Sequence, residues 1–311
     1  MQTYRRSSDL GRGIVAYKSR PTIGSRILGG KLARAREALD MSVEDAVAGM
    51  RALGVKLSGP TIYRHESGHT AVKPEVAVVY AGLYRVGDPV EIERWVKWAK
   101  KSKEKGPWAS SGRTIGPTFR DYADAESLAD ELRTWQPDAI PGLLQTKRYS
   151  EEIIRASGTV RPGEEPSENS EIQDRIALRE ARKKILENDS RPRIWAVIGE
   201  SAVLTPPRKD DPESHREQIQ HLLILGESRA TIQIVPMSSG LHGGLSGSFD
   251  IMAFGDDDDI DMVFREGYRD GSFIENAAQV RAYRARYERL QSLALDIVDT
   301  RTYLESLLTK L

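Results

Sequence analysis

Residues 57–68 read Leu-Ser-Gly-Pro-Thr-Ile-Tyr-Arg-His-Glu-Ser-Gly, and this stretch decides the fold expected for the first hundred residues. Ser58 can cap a helix through its side-chain oxygen. Pro60 stands in the first turn, where the missing N–H of proline costs nothing. Gly68 marks the end of the helix. The stretch therefore predicts a short, sharply bounded helix over Ser58–Glu66.

The two faces of this helix differ in chemistry. At helical spacing, Ile62 and His65 can face inward and pack against a neighbouring helix. Thr61, Tyr63 and Arg64 can then face outward, where hydroxyl and guanidinium groups remain available to a partner. The pattern favours a helix that is anchored on one side and exposed on the other.

Four further helices are expected around this one. The first starts at Ile23, and the second is capped by Ser42 with Asp45 three residues on, which is the spacing of a capping box. The last two open at Pro74 and at Asp88. Apolar residues of the first helix recur at helical spacing: Ile27, Leu28, Leu32, Ala35 and Leu39. An all-α domain of five helices over residues 23–105 is predicted.

The zero net charge of the chain conceals an asymmetry between its two parts. Residues 1–105 hold 20 Lys and Arg against 11 Asp and Glu, an excess of nine positive charges, and the remainder carries the opposite excess. A basic module of this kind favours an anionic partner such as nucleic acid. Residues 1–22, with Arg5 and Arg6, are expected to form a flexible basic arm, or a disordered tail without function.

Composition narrows the classes of function. The chain has no cysteine and five scattered histidines, so disulfides, thiol catalysis and cysteine-type zinc sites are excluded and neither a metal nor a cofactor is expected. It has no apolar run of membrane-spanning length and no signal-peptide pattern at its start. These features predict a cytoplasmic, nucleoid-associated protein with no membrane partner.

A second unit is expected after a linker at residues 106–118. It covers residues 119–311, and its mixture of helical stretches and short strand-like runs predicts an α+β regulatory domain. Helices are expected at residues 122–134, 147–157, 168–188 and 213–228, with helical segments closing the chain. Strands are expected at residues 193–198, 231–235, 248–254 and 262–264.

The first unit resembles the lambda-repressor-like (XRE) helix-turn-helix family in three stretches, residues 32–39, 41–48 and 57–68. The resemblance implies a homodimer on double-stranded DNA, with Ser58–Glu66 as the recognition helix in the major groove. It also implies a structural ion pair between Arg36 and Glu66. The turn over residues 51–56 is longer than is usual in the family, and Gly59 and Pro60 stand where base-reading side chains are common. The expected DNA contacts are Ser42, Ser58, Thr61, Tyr63, Arg64, Arg5 and Arg6.

The second unit resembles the DUF5753 domain of actinobacterial developmental regulators of the WhiJ type. The resemblance runs through nearly the whole unit and departs from the family pattern at residues 205–207 and 256–259. It implies a small protein partner of the DUF397 type in an antitoxin-like or developmental circuit. The residues that carry it include Phe119–Tyr122, Glu126, Ile140–Thr146, Tyr149, Arg175, Arg179, Glu200, Gln218, Ile232–Pro236 and Gly240–Gly244.

Several features of the second unit allow two interpretations. The turn at 141–145 is either a corner that locks the core or the wall of a pocket. The glycine-rich loop at 240–247 and the aspartates at 256–259 lack phosphate- and calcium-loop patterns, which favours a connecting loop and a solvated hairpin tip. Nothing in the sequence fixes Glu200, His242 and Glu266 as an acid–base set, so no catalytic residue is expected.

The regulatory signal is also open at this level. A protein partner is the leading expectation, and the alternative is a ligand-sensing transcription factor with a pocket in the second unit and no obligatory partner. The stripe from Val280 to Ile297 is either part of a dimer surface or packs on its own sheet.

Overall fold

The computed structural model describes residues 21–102, 116–156, 169–187, 192–255, 260–267 and 271–311. Arg5 and Arg6, the aspartates at 256–259 and nearly all of the expected linker lie outside these ranges. Five helices occupy the first range: α1 (Ile23–Glu37), α2 (Val43–Ala52), α3 (Gly59–Glu66), α4 (Pro74–Leu83) and α5 (Pro89–Lys101).

Local chemistry accounts for where these helices begin. Ser42 accepts a hydrogen bond from the Asp45 backbone N–H while the Asp45 carboxylate accepts from the Ser42 backbone, a complete capping box. Ser58 caps α3 by accepting from the Thr61 N–H, and proline stands in the first turn of α3, α4 and α5. All five helices contribute to the core of the bundle. Its largest fully buried side chains are Trp95, Trp98, Tyr80, Ile23, Ile27, Leu28, Leu32, Met50 and Ile62.

The crossing of α1 and α3 depends on Gly29. A Cβ at this position would lie 2.6 Å from the carbonyl oxygens of His65 and Glu66, so any side chain would push the end of α3 away from α1. The backbone atoms of α3 cannot yield as a flexible side chain would. Gly29 therefore sets the distance between the two helices.

Gly29→Ala should lower the free energy of unfolding by about 1–3 kcal/mol, because the methyl group overpacks the helix crossing. Gly30→Ala is the matched control, since its Cβ would meet only the Ile260 methyl at 3.4 Å. Alanine is preferred to glycine within helices, which makes the control neutral or slightly stabilising. Urea unfolding followed by circular dichroism measures both. Equal stability of the two variants would contradict this account of the crossing.

The second unit is an α+β fold, as expected. Its helices are α6 (Pro117–Leu128), α7 (Lys147–Ala156), α8 (Asn169–Lys183), α9 (Glu200–Leu204), α10 (Pro212–Ser228), α11 (Ala277–Leu293) and α12 (Ile297–Leu308). Its strands are β1 (Glu131–Gln136), β2 (Arg193–Gly199), β3 (Thr231–Val235), β4 (Phe249–Ala253), β5 (Met262–Arg265) and β6 (Ser272–Ile274).

The strands form one mixed sheet in the order β3-β2-β1-β4-β5-β6. β1, β2 and β3 are parallel, whereas β4, β5 and β6 continue the sheet in antiparallel pairs. One face packs against α11 through a cluster that includes Trp135, Val197, Phe249, Tyr287 and Leu290. Helices including α6 and α10 contribute to the larger core, which also takes in the helices of the first unit. No helix in the described ranges could cross a membrane.

One expectation about the second unit is wrong, and two of its elements were not predicted. The helix expected over 122–134 ends at Leu128, and residues 131–136 form the central strand β1. Pairing with a strand on each side outweighs the local helical pattern here, because β1 hydrogen-bonds to both β2 and β4. The three-residue strand β6 and the helix α9 were not expected. Of the stripe from Val280 to Ile297, Val280, Tyr287 and Leu290 pack on the sheet as one of the two alternatives expects, whereas α11 ends at Leu293 and Ile297 is 54% exposed.

Candidate nucleic-acid interface

Helix α3 has the two faces that its sequence predicts. Ile62 and His65 are buried at 0% and 6% exposure, and α3 packs against α1 and α2. On the other side Tyr63 is 67% exposed, and Arg64 is exposed as well. Thr61 is half-buried beside them. The exposed side therefore presents one aromatic hydroxyl and one guanidinium on a helix that its opposite face holds in place.

The serines at the helix starts are already engaged. The Ser58 and Thr61 hydroxyl oxygens lie 2.8 Å apart, within hydrogen-bond distance. The Ser42 hydroxyl donates to the Asp45 carboxylate at 2.6 Å and accepts from the Asp45 N–H at 3.1 Å. These donors lower the pKa of Asp45 and keep a negative charge beside Ser42. Ser58 and Thr61 are thus better placed than Ser42 to meet an anion.

An ion pair joins α1 to the end of α3. The Arg36 guanidinium donates from Nε to Glu66 Oε1 at 2.7 Å and from Nη2 to Glu66 Oε2 at 3.0 Å. Its Nη1 donates to the Met41 carbonyl oxygen at 2.8 Å, just before α2. One arginine therefore connects all three of these helices, and the hydrogen bonds to Glu66 raise its pKa. This arrangement holds α3 against the bundle and leaves Tyr63 and Arg64 out of the pair.

His65 lies beneath the exposed face of α3. Its Nδ1 is 3.0 Å from the Tyr80 hydroxyl, and the two rings meet edge to face at 5.9 Å between centroids. Burial lowers the pKa of His65, and the nearby Glu66 carboxylate only partly opposes this effect. The imidazole is therefore held neutral where α3 and α4 meet.

The stability supplied by His65 should depend on pH. Because its pKa in the folded protein lies below the ordinary value of about 6.5, the contribution is complete above that pH and is lost as pH falls through the lowered value. The free energy of unfolding should fall between pH 7.5 and 5.5 more steeply in the parent than in His65→Gln. His69→Gln, at an exposed position four residues on, is the control and should follow the parent. Identical slopes for the parent and His65→Gln would refute this role.

A charged cluster, defined here as Tyr122, Glu126, Arg182 and Asp250, is buried in the second unit. Arg182 donates to both oxygens of Glu126, at 2.7 and 2.8 Å, and these side chains are only 4% and 2% exposed. The Tyr122 hydroxyl lies 3.0 Å from Asp250 and 3.2 Å from Glu126. Burial raises the pKa of Asp250 to about 7. The cluster therefore contains an ion pair between Arg182 and Glu126, and beside it the Asp250 carboxyl group, whose pKa is close to neutral pH.

The first unit contacts the second through a junction, defined here as Arg26, Arg94, Asp121, Asp130 and Glu275. Arg26 of α1 forms ion pairs with Glu275 and, at 3.8 Å, with Asp121. Arg94 of α5 lies 3.4 Å from Asp130. These are contacts between opposite charges on the two units.

The junction continues into the charged cluster through aromatic side chains. The Arg26 guanidinium lies 5.4 Å from the centre of the Phe273 ring. The Phe273 and Phe264 rings are 5.2 Å apart, and the Phe264 and Tyr122 rings are 4.4 Å apart. Packed side chains therefore connect α1 with the buried charges of the second unit.

The structure also shows what surrounds the turn at 141–145 and the glycine-rich loop at 240–247. The turn at 141–145 is a core corner: Gln145 donates to the Ile140 carbonyl at 2.7 Å, and Gln218 donates to the Leu144 carbonyl at 2.9 Å. It also lines a small cavity. In the glycine-rich loop, Gly244 packs on Trp135 so closely that a Cβ would lie 2.6 Å from the ring.

Glu200, His242 and Glu266 make separate contacts. Glu200 accepts from the Met237 N–H and the Tyr303 hydroxyl. His242 accepts from the Gly244 N–H and meets the Trp135 ring at its edge. Glu266 is exposed after β5, about 14 Å from Glu200 if three strand spacings are counted across the sheet. Within the described ranges no group of three or more potential metal ligands comes together.

Sequence reasoning missed the residues that join the parts of the molecule. Asp250 carried a readable signal, since a carboxylate in the otherwise apolar strand β4 must find a buried partner. No sequence pattern marks Arg26, Gly29 or Arg182. The partners of the two arginines lie far away in the sequence, and the role of Gly29 depends on how two helices cross.

The fold defines a class of protein in which a bundle of five short helices precedes an α+β unit with a six-stranded mixed sheet. Residues 119–306, from α6 into α12, match the family described as Domain of unknown function (DUF5753), and the chain belongs to this family. Comparison with curated proteins and with solved structures finds no match.

Proposed function

We propose that this chain is a sequence-specific DNA-binding transcriptional regulator of the helix-turn-helix class, whose helix α3 enters the major groove. The observation that carries the proposal is the arrangement of α3, which exposes Tyr63 and Arg64 while Ile62 and His65 bury its opposite face. A recognition helix must pack against its own domain on one face and present the opposite face to the major groove.

The chemistry of the exposed face suits DNA. An arginine fork can donate to O6 and N7 of one guanine, the commonest specific contact in the major groove. The hydroxyls of Ser58 and Thr61 and the N–H groups at the start of α3 can position a phosphate. The excess of nine positive charges in residues 1–105 favours association with an anionic polymer.

The second unit is proposed to modulate binding, with the protein acting as a homodimer on two half-sites. The junction supports such coupling, because it ties α1 and α5 to the second unit by opposite charges. In this proposal the signal is a small protein partner of the DUF397 type that docks on the second unit. The small cavity beside the charged cluster is the observation in favour of a ligand as an alternative signal.

A titration of the protein on DNA tests this function. Fragments upstream of its own coding sequence, then a genomic library, are incubated with the purified protein at low salt, with and without the neighbouring small protein. On a native gel we expect the protein to retard selected fragments in a saturable, salt-sensitive way, and the small protein to change the amount of DNA that is bound. Retardation that ignores the small protein would contradict gating by that partner. Failure of every genomic fragment to bind would overturn the proposed function.

A further inference from the structure

Two arginines of α8 converge on Gly142. A Cβ built on this glycine would lie 3.8 Å from Nη1 of Arg182 and 4.0 Å from Nε of Arg179. Both atoms therefore border the short turn that starts at Pro141, and no side chain of residue 142 stands between them.

These guanidinium groups retain unused donors. Arg182 spends Nε and Nη2 on Glu126, which leaves Nη1 without a hydrogen-bond partner among the described residues. Arg179 donates from Nη1 to the Gln145 amide oxygen at 2.8 Å, its only hydrogen bond within the same ranges. Among the described residues no carboxylate lies within ion-pair distance of Arg179, and Glu266 and Glu126 act on it only from farther away, whereas arginine in such surroundings ordinarily pairs directly with a carboxylate or a phosphate. The site thus keeps guanidinium N–H groups that the Glu126 carboxylate and the Gln145 amide oxygen do not use.

Electrostatics point the same way. Burial, and then the positive charge of Arg182, lower the pKa of Arg179 to about 10. An anion placed beside both guanidinium groups would stabilise their charged forms and oppose this lowering of the pKa. The negative charges of Glu126 and Glu266, and of Asp250 when it is ionised, limit how much extra negative charge the site can accept. A ligand with a single negative charge therefore fits better than a dianion.

A small cavity reaches Gly142, the residue on which the two arginines converge. Its volume is about 20 Å³, which is room for one small group, and its lining includes Gly142, Tyr122, Thr134 and Asp250. Thr134 is 3% exposed, and its hydroxyl makes no hydrogen bond of good geometry within the described ranges, although its proximity to the Asp250 carboxylate lowers the pKa of that group. Thr134 stands opposite Asp250 in the pairing of β1 with β4. A hydroxyl entering the cavity could give the buried Thr134 side chain a well-formed hydrogen bond.

We propose that the second unit binds a small organic monocarboxylate at this site. The carboxylate lies against the guanidinium groups of Arg179 and Arg182, and a short hydroxyl-bearing end enters the cavity toward Thr134. The inference deepens the regulatory part of the proposed function. It rests on the proposed function only where an effect on DNA binding is concerned. Binding of the carboxylate requires only the α+β unit.

The test uses the full-length protein without DNA and three probes: glycolate, acetate and inorganic phosphate, each against sodium chloride at equal ionic strength. Thermal unfolding and calorimetry report binding, because a ligand of the folded state raises the unfolding midpoint. We expect glycolate to raise the midpoint most, acetate less and phosphate no more than chloride. Arg179→Gln should weaken glycolate binding roughly tenfold or more, as loss of a charge-assisted hydrogen bond does.

Three further variants sharpen the result. Thr134→Val should reduce the response to glycolate to that of acetate, because only the hydroxyl contact is lost. Lys184→Gln, an exposed change just beyond α8, should bind glycolate like the parent. Arg179→Lys keeps the charge and loses the fork, so it should also bind less tightly. It serves as the test if Arg179→Gln does not fold.

Two results would overturn the proposal: no response of the parent to either carboxylate, and an equal response of the parent and the Arg179 variants. A larger response to phosphate than to glycolate would overturn the assignment of a monocarboxylate. Because no DNA is present, failure here leaves the proposed DNA-binding function standing. Failure of the DNA titration likewise leaves this site untouched.

Discussion

Replacing Glu126 by glutamine is expected to lower the free energy of unfolding by about 3–5 kcal/mol, the usual consequence of removing one partner from a buried ion pair. Arg182 would keep its charge at 4% side-chain exposure while losing the carboxylate that it contacts through two hydrogen bonds. The Phe119 and Tyr122 rings, which lie about 5 Å from this guanidinium, offer only a weak substitute. Chemical denaturation at pH 7 measures the loss.

Two controls separate the effect of burial from the effect of charge. Glu305→Gln removes a partner from the Arg301–Glu305 pair, where both side chains are 52% exposed, and should cost less than about 1 kcal/mol. The double variant Glu126→Leu with Arg182→Met replaces the buried pair by apolar groups and should recover most of the lost stability. A loss in Glu126→Gln no larger than in Glu305→Gln would show that the buried pair is not a structural anchor.

Arg64→Ala is expected to weaken binding to the selected DNA site by about 1–3 kcal/mol, roughly 5- to 150-fold. Binding should also lose discrimination at one base pair, because the exposed guanidinium of α3 is proposed to read one guanine. Fluorescence anisotropy on the selected site and on single-base variants measures both effects. The fold should be unchanged, since Arg64 takes no part in the pair that holds α3, which is formed by Arg36 and Glu66.

Arg64→Lys is the matched variant for this experiment. Lysine keeps the positive charge and loses the planar fork, so binding to unrelated DNA should persist while preference for the selected site declines. If Arg64→Ala binds the selected site as the parent does, α3 is oriented differently on DNA than proposed. The stability of each variant is compared with the parent before binding is measured.

Much of the local structure could be predicted because its causes are local. The starts of α2 and α3 follow from the serine caps at Ser42 and Ser58, which involve residues only three positions apart. The two faces of α3 follow from helical periodicity. Strands β2 to β5 were visible as apolar runs between turn signals.

The central strand β1 could not be predicted in the same way. Residues 131–136 carry a mixed pattern whose extended conformation depends on hydrogen bonds to β2 and β4, more than fifty and a hundred positions away. The junction is hidden for the same reason, since Arg26 and Glu275 form an ion pair although they lie 249 positions apart in the sequence.

The sequence by itself determined the helices of the first unit, most strands of the second, and the exposed chemistry of Tyr63 and Arg64, because caps, spacing and turn residues act over a few positions. Only the tertiary structure decided which charges are buried together and which glycine admits no side chain. Tyr122 and Asp250 are separated by 128 positions, and Gly29 is constrained by backbone atoms of another helix. Such constraints arise from close packing between distant segments, which local patterns do not encode.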